Sequence, residues 1–351
     1  MNTLFKATFF LLMPLSLTAA NTPRDDGLAG IEKKRTIIKM YDVDQKDKLL
    51  INNQFGQVNV ILWDKDEIRV QIIVTANAST DDRAQEYLNS VEITDKREGD
   101  QIILRTEMQK TSSTWGNWNG NTNNGEKQSV HIDYTVQMPR NNALSVRNRF
   151  GNTNVASFRA PLTIYTRYGN FTADQLTGSQ NDIDVAYGNA DIRNMEGGKL
   201  AIAYSNLDLD KANVIVLTNR FGKLKIGTVN KLDATISYSG ASIGTLGESC
   251  KMRLDFSGGF RIGQLKSADN VDIQANYSSV ALPLNAETGY DFDVSVTYGG
   301  FNYPNGQSML FTTQPSTNAS PGKIKQYTGK IGTGSGPRVR VVSRFGDVSF
   351  R

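Results

Sequence analysis

A chain of 351 residues, 38% hydrophobic and 21% charged, is long enough for one large domain or two ordinary ones and has a globular composition, somewhat rich in Gly at 31. Its net charge of +4 is dispersed rather than gathered into Lys/Arg runs, which argues against a nucleic-acid partner. A single cysteine, Cys250, excludes an internal disulfide framework, and with one histidine, His131, the chain cannot assemble a His/Cys metal site.

At the amino terminus Lys6 precedes an apolar run from Ala7 to Leu17, and Thr18-Ala19-Ala20 supplies the small residues a signal peptidase reads. Residues 1–20 therefore read as a cleaved secretory signal, too short to span a bilayer, and 21–30 as a flexible leader. No later segment approaches 18 consecutive apolar residues, so the mature chain is expected to be exported, without a transmembrane segment, to the periplasm, the cell surface or the medium. Residues 31–351 are expected to form one β-repeat domain.

From Ile31 the chain alternates with period 2: Ile37, Leu49, Ile51, Val58, Val60, Ile68, Val70 and Ile72 mark strands with one buried face. Trp63-Asp64-Lys65-Asp66-Glu67 is a charged turn, with Trp63 as a covering side chain. Ser79 and Thr80 offer N-caps ahead of Asp81 and Asp82, and Ala84, Tyr87, Leu88 and Val91 share one helical face, which predicts one short helix. Strands resume at 91–94 and 101–106. Residues 110–128, dominated by Ser, Thr, Asn and Gly, read as a mobile loop whose Trp115 and Trp118 are candidate sugar-stacking residues. Val130, Ile132, Tyr134 and Val136 alternate again, putting His131 and Asp133 on the solvated face until Met138-Pro139 ends the strand.

A short phrase then recurs: Arg149-Phe150-Gly151-Asn152, Arg167-Tyr168-Gly169-Asn170, Ala186-Tyr187-Gly188-Asn189, Ala203-Tyr204-Ser205-Asn206 and Arg220-Phe221-Gly222-Lys223, continuing through Tyr238, Phe256, Tyr277 and Tyr298. Successive aromatics are 18, 19, 17, 17, 17, 18, 21 and 21 residues apart. Phe55-Gly56 is an early copy and Phe345-Gly346 a final one, after a long C-terminal loop at 304–336 with one short strand near Met309. Residues four and two before each aromatic are mostly apolar, as are those three and five after it, so the chain turns a corner and keeps both arms on one core. Continuing the alternation through the aromatic points its ring inward, with Gly or Ser making the corner. Around Phe256 the apolar residues Phe260 and Ile262 arrive one residue late, which a bulge at Gly258-Gly259 would absorb.

Units of this length cannot bury their own faces and must stack, about 4.8 Å per layer. The expectation is an all-β parallel β-solenoid, or β-helix, with an internal aromatic ladder; an antiparallel β-sandwich or meander, with Gly-Asn as a hairpin turn, is the alternative.

The phrase Asn53-Gln54-Phe55-Gly56-Gln57-Val58-Asn59-Val60 followed by Trp63-Asp64, with Gly329-Lys330-Ile331-Gly332 and Arg344-Phe345-Gly346-Asp347-Val348 near the end, resembles the bacterial putative adhesin family of exported β-repeat proteins, which includes the head GIN domain. The resemblance covers most of the chain from about Ile31 and implies a β-solenoid at the cell envelope, a role in adhesion and no assigned catalytic residues.

The residues themselves specify no reaction and no cofactor. Asp182/Asp184, Asp208/Asp210 and Asp291/Asp293 each put two carboxylates on one strand face, as a glycoside hydrolase or polysaccharide lyase on a β-helix would need, but they read first as a solvated outer face that keeps an all-β rod in solution. Arg149 and Arg167, outward neighbours if the rings point in, are candidate contacts for an acidic glycan. The expected function is a non-enzymatic exported binding or structural protein with a cell-surface or extracellular glycan or protein as partner; the alternative is a carbohydrate-active enzyme.

Overall fold

The computed structural model describes residues 30–109, 129–266, 269–283, 289–304, 309–315, 322, 324–332 and 336–351. Within them lies an all-β fold of 23 strands joined in one mixed sheet, with one helix.

Two ladders of strands run through the molecule, one entering the aromatic corners and one leaving them. The entering ladder begins with β5 (Val91–Glu98) antiparallel to β6 (Gln101–Met108). It continues in parallel through β2 (Lys48–Gln54), β8 (Ala143–Arg149), β10 (Leu162–Arg167), β12 (Asn181–Ala186), β13 (Asn189–Ala203) and the long run β14 (Asn206–Asp255). The leaving ladder begins with β1 (Ile31–Asp42), β4 (Glu67–Ala78) and β7 (Ser129–Pro139), with β4 antiparallel to the strand on each side of it. It becomes parallel through β3 (Val58–Trp63), β9 (Thr153–Phe158), β11 (Phe171–Leu176) and β13. Successive copies of the phrase thus pair in parallel and in register, Thr166 beside Val185 and Ala173 beside Ile192; the hairpin reading of Gly-Asn does not hold in the repeat. Antiparallel pairing is confined to the two ends.

The C-terminal end departs from chain order. β16 (Asn270–Asn276) pairs in parallel with β22 (Arg338–Arg344), and β22 with β18 (Tyr290–Thr297), so the penultimate strand is inserted between two earlier ones. β23 (Val348–Phe350) is likewise held between β17 (Val280–Leu282) and β19 (Phe301–Asn302). The stretch 304–336, expected as a loop with one strand, holds two: β20 (Met309–Thr313) and β21 (Lys325–Ile331), which run antiparallel to each other, β21 closing against β18.

The apolar columns pack as anticipated. Ile164, Ile183, Val185, Leu200 and Ile202 before the aromatics, and Phe171, Ala173, Ala190, Ile192, Leu207 and Leu209 after them, belong to one buried core. β15 (Phe260–Leu265) regains the same phase after Gly259, whose φ of +75° lets the chain take the extra residue, with Phe260 and Ile262 buried. At the N-terminal end α1 (Asp81–Ser90) is capped by Thr80, whose Oγ1 accepts from the Arg83 N–H at 3.3 Å, and it lays Ala84, Tyr87 and Leu88 over β4 and β1. Val91, read as part of that helical face, is the first residue of β5 instead. At the other end Phe292, Phe301, Phe311 and Phe350 meet at tilted or edge-to-face angles.

Candidate functional site

The structure overturns one expectation outright. The aromatics do not point into the core: Phe150, Tyr168, Tyr187, Tyr204, Tyr238, Phe256, Tyr277, Tyr298 and Phe345 are 43–60% exposed, and Phe55 and Phe221 half-buried. The reason is local. All eleven adopt left-handed backbone, φ +48° to +61°, so the corner is made at the aromatic itself and the alternation changes phase there, one residue before the glycine. The ring swings outward, and the following Gly or Ser takes the inner position.

That inner position explains the residue after the ring. A Cβ on Gly169 would collide with the carbonyl oxygen of Gly151, and one on Gly188 with that of Gly169, so glycine is required for the approach of consecutive backbones rather than for its φ. Where Ser replaces Gly the hydroxyl is bonded: Ser205 Oγ accepts from the Gly188 N–H at 3.1 Å and donates to the Ala203 carbonyl at 2.8 Å.

The corners stack in register because eight of the aromatic N–H groups donate to the carbonyl of the residue before the next ring, as Phe150 N–H does to that of Arg167 at 2.9 Å and Tyr204 N–H to that of Arg220 at 2.8 Å. The rings follow. They form one column, Phe55, Phe150, Tyr168, Tyr187, Tyr204, Phe221, Tyr238, Phe256, Tyr277, Phe345, Tyr298, with centroids 4.6–5.2 Å apart and planes within 18° of parallel. Ten such steps make a ribbon about 49 Å long. Face-to-face stacking hides the ring faces and presents their edges, the electropositive rim of each π-system, with tyrosine hydroxyls at intervals.

Two residues beyond each ring a second column runs alongside. Asn152 Oδ1 accepts from the Asn170 N–H at 2.9 Å, Asn170 Oδ1 from that of Asn189 at 2.9 Å, and Asn206 Oδ1 from that of Lys223 at 3.0 Å. The column then stops, since the next members are Gly240 and the Gly258-Gly259 bulge. A hollow of about 590 Å³ opens there, lined by Lys223, Lys225, Gly240, Ser242, Gly259 and Arg261 among others.

The remaining candidates are dispersed. Arg149 and Arg167 are register partners on β8 and β10, but their heads part: Arg149 is exposed, 5.8 Å from the Phe150 centroid, whereas Arg167 lies 3.7 Å over Tyr165 and is ion-paired with Asp184 at 2.8 Å. Trp115 and Trp118, like the signal segment 1–20, lie outside the described residues. The paired carboxylates sit on the outer face, and one of each pair has a polar partner there: Asp184 with Arg167, Asp208 with Lys225 at 3.0 Å, and Asp293 accepting from Gln326 at 3.3 Å. His131 is exposed on β7 opposite Thr75, as expected. Among the described residues no cluster of three or more His, Cys, Asp or Glu is arranged to hold a metal ion, and no helix is long and apolar enough to cross a membrane.

No family model and no curated protein matches the chain. Among solved structures it is similar to a putative adhesin from Parabacteroides merdae, at 12% identity and a TM-score of 0.36, over 90% of this chain and 96% of that one. A putative adhesin from Bacteroides fragilis follows at 11% identity and 0.35, over 90% and 97%, and a putative lipid binding protein from Parabacteroides distasonis at 11% and 0.33, over 91% and 96%.

Proposed function

We propose that this chain is a non-enzymatic binding protein of the cell envelope, exported by its N-terminal segment and built as a parallel β-solenoid whose aromatic ribbon meets a surface glycan or protein. The observation that carries the reading is the ribbon: eleven rings held in left-handed backbone so that their edges, rather than core-filling surface, line one side of the stack. A continuous exposed apolar stripe of this length is the kind of surface soluble proteins reserve for partners. The parallel in-register pairing of successive copies supports the solenoid, and the engagement of one carboxylate of each pair by a cation or an amide supports binding over glycoside cleavage.

The test is retention of the labelled protein on intact cells. A Phe150→Asn/Tyr168→Asn/Tyr187→Asn variant removes three adjacent rings while keeping a residue type that tolerates positive φ. Retention should fall to background with the folded state intact by circular dichroism; equal retention of wild type and variant rules the ribbon out as the contact surface.

A further inference from the structure

We infer that the hollow where the asparagine column ends is a binding site for an acidic linear polysaccharide, one bearing carboxylate or sulfate groups. The inference rests on the binding reading above and names a ligand class for a second part of the same side of the molecule.

The hollow exists because side chains are missing in register. In the column two residues after the rings, Asn189, Asn206 and Lys223 give way to Gly240 and Gly259. In the column two residues further on, Ser242 is the register partner of Arg261, and Lys225 lies one repeat before Ser242. The floor is thus glycine and serine over the buried Ala241, and the walls are cationic. Lys225 is held by Asp208, but Lys223 and Arg261 have no ion-pair partner among the described residues. They stand two layers apart, about 10 Å at 4.8 Å per layer. Asp191, the other acid on the lining, lies three repeats before Ser242, on the far side of the Asp208–Lys225 pair.

Three features select the ligand. Two free cations separated by an open floor fit charges recurring along a chain rather than a single compact ion. The floor admits a flat, hydroxyl-rich body, since no side chain larger than serine rises from it. Two residues before Gly240 and Gly258 stand Tyr238 and Phe256, outside the lining and stacked on each other at 5.2 Å, so their faces are closed and their electropositive edges face outward, which favours oxygen over an apolar chain in a ligand that reaches them. A neutral glycan would leave both cations unused.

Gly240 provides a clean perturbation. Unlike Gly169, it does not need to be glycine: its φ is not positive, and an added Cβ would meet only the Gly258 carbonyl oxygen, at 3.8 Å. Gly240→Asn therefore raises a side chain from the floor of the hollow without disturbing the stack. Binding of the full chain to polygalacturonate, dextran sulfate and neutral dextran is measured by calorimetry. Wild type should bind at least one polyanion and not neutral dextran, with polygalacturonate alone assigning carboxylate and both polyanions assigning either anion. Lys223→Gln/Arg261→Gln should weaken binding about tenfold or more, as loss of close charged contacts does, and Gly240→Asn should weaken it about as much by obstructing the floor, both with unchanged unfolding midpoints. Absence of polyanion binding, equal binding of neutral dextran, or wild-type affinity in either variant overturns the inference. The two readings fail separately, because the ribbon is judged by cell retention of the ring variant and the hollow by polyanion binding of these two.

Discussion

Replacing Tyr187 in turn by Asn, Ala and Val separates an outward ring from an enclosed one by rank order. The ring is 48% exposed and stacks on Tyr168 at 4.8 Å and Tyr204 at 5.1 Å. A tyrosine enclosed on all sides hides roughly 200 Å², so this one hides about 100 Å², worth ~2.5 kcal/mol at about 25 cal/mol/Å². Part of that area passes to the Ala Cβ, and each of the two lost stacks removes about 0.5–1.5 kcal/mol more, so Ala should cost about 3–5 kcal/mol. Asn loses the same contacts but relieves the left-handed backbone, φ +59°, and should cost about 1 kcal/mol less than Ala. Val, β-branched, is the worst fit to that backbone and should cost about 1–2 kcal/mol more than Ala. A ring inside the core would give the reverse order, since Val keeps apolar volume and Asn buries an amide without partners. Urea unfolding followed by far-ultraviolet circular dichroism measures all three; Val as the mildest and Asn as the most damaging substitution would refute the corner geometry.

Gly169→Ala places a methyl group against the Gly151 backbone, which cannot move without shifting the whole layer, and should lower stability by about 3 kcal/mol or more, read as a lost or sharply lowered thermal midpoint. Asn219, 1% exposed beside Ile202 in the inner column, has neither side-chain polar atom hydrogen-bonded, so Asn219→Leu should raise the midpoint, by about 1–2 kcal/mol in urea unfolding. The Asp95 carboxyl is held below its ordinary value chiefly by the Lys39 ammonium at 2.7 Å, against its own desolvation, and further by the Tyr41 hydroxyl. A depressed folded value stabilises above the unfolded value near 4 and is lost as pH falls through the folded one. Asp95→Asn should consequently lower the midpoint at pH 7 but not near pH 2; with both partners about a third exposed the effect is under about 1 kcal/mol, and an equal deficit at both pH values would deny the linkage.

Much of the architecture could be read from residue types alone, because it rests on apolar spacing. The columns at Ile164, Ile183 and Leu200 and at Phe171, Ala190 and Leu207 are buried as their phase requires, and the late arrival of Phe260 and Ile262 marked the bulge that Gly259 makes. The side taken by the rings could not be read the same way. Alternation carries across a residue only while its backbone stays extended, and a left-handed Tyr or Phe is a conformation those residues seldom adopt; the adjacent Gly was the natural site for the corner. The true role of that Gly, admitting the neighbouring backbone, depends on a contact with a residue 17 to 19 positions away. The hollow left a clearer trace, the loss of the plus-two side chain at Gly240, but that pointed to a site only once Lys223 and Arg261 were seen on either side. The carboxylate pairs were legible as a solvated face, but their individual partners were not, because shared strand face says nothing of the cations in the adjacent layers.

Layer order was the least legible property, and it bears on function. Tyr277 and Tyr298 are consecutive in the sequence, 21 residues apart, yet they do not stack on each other; Phe345 stands between them at 4.6 and 4.8 Å. Similarity of Arg344-Phe345-Gly346-Asp347 to the other copies assigns it to the column but not to a place in it. Once β22 is in place, it satisfies the edges of β16 and β18 together, and β23 does the same for β17 and β19. Without those two strands the backbone groups on four edges would be unpaired, and an unpaired edge is a template for other chains. The ribbon would also lose one layer, the Phe345 ring that links Tyr277 at 4.6 Å to Tyr298 at 4.8 Å. Closure of the fold and continuity of the exposed aromatic column are therefore set by the same C-terminal strands, whose pairing spans more than 60 residues from β16 and forms at a correspondingly large entropic cost. A surface built this way is complete only when the chain is fully folded, so exposure of the ribbon over its whole length is a property of the native state and of no partly assembled stack.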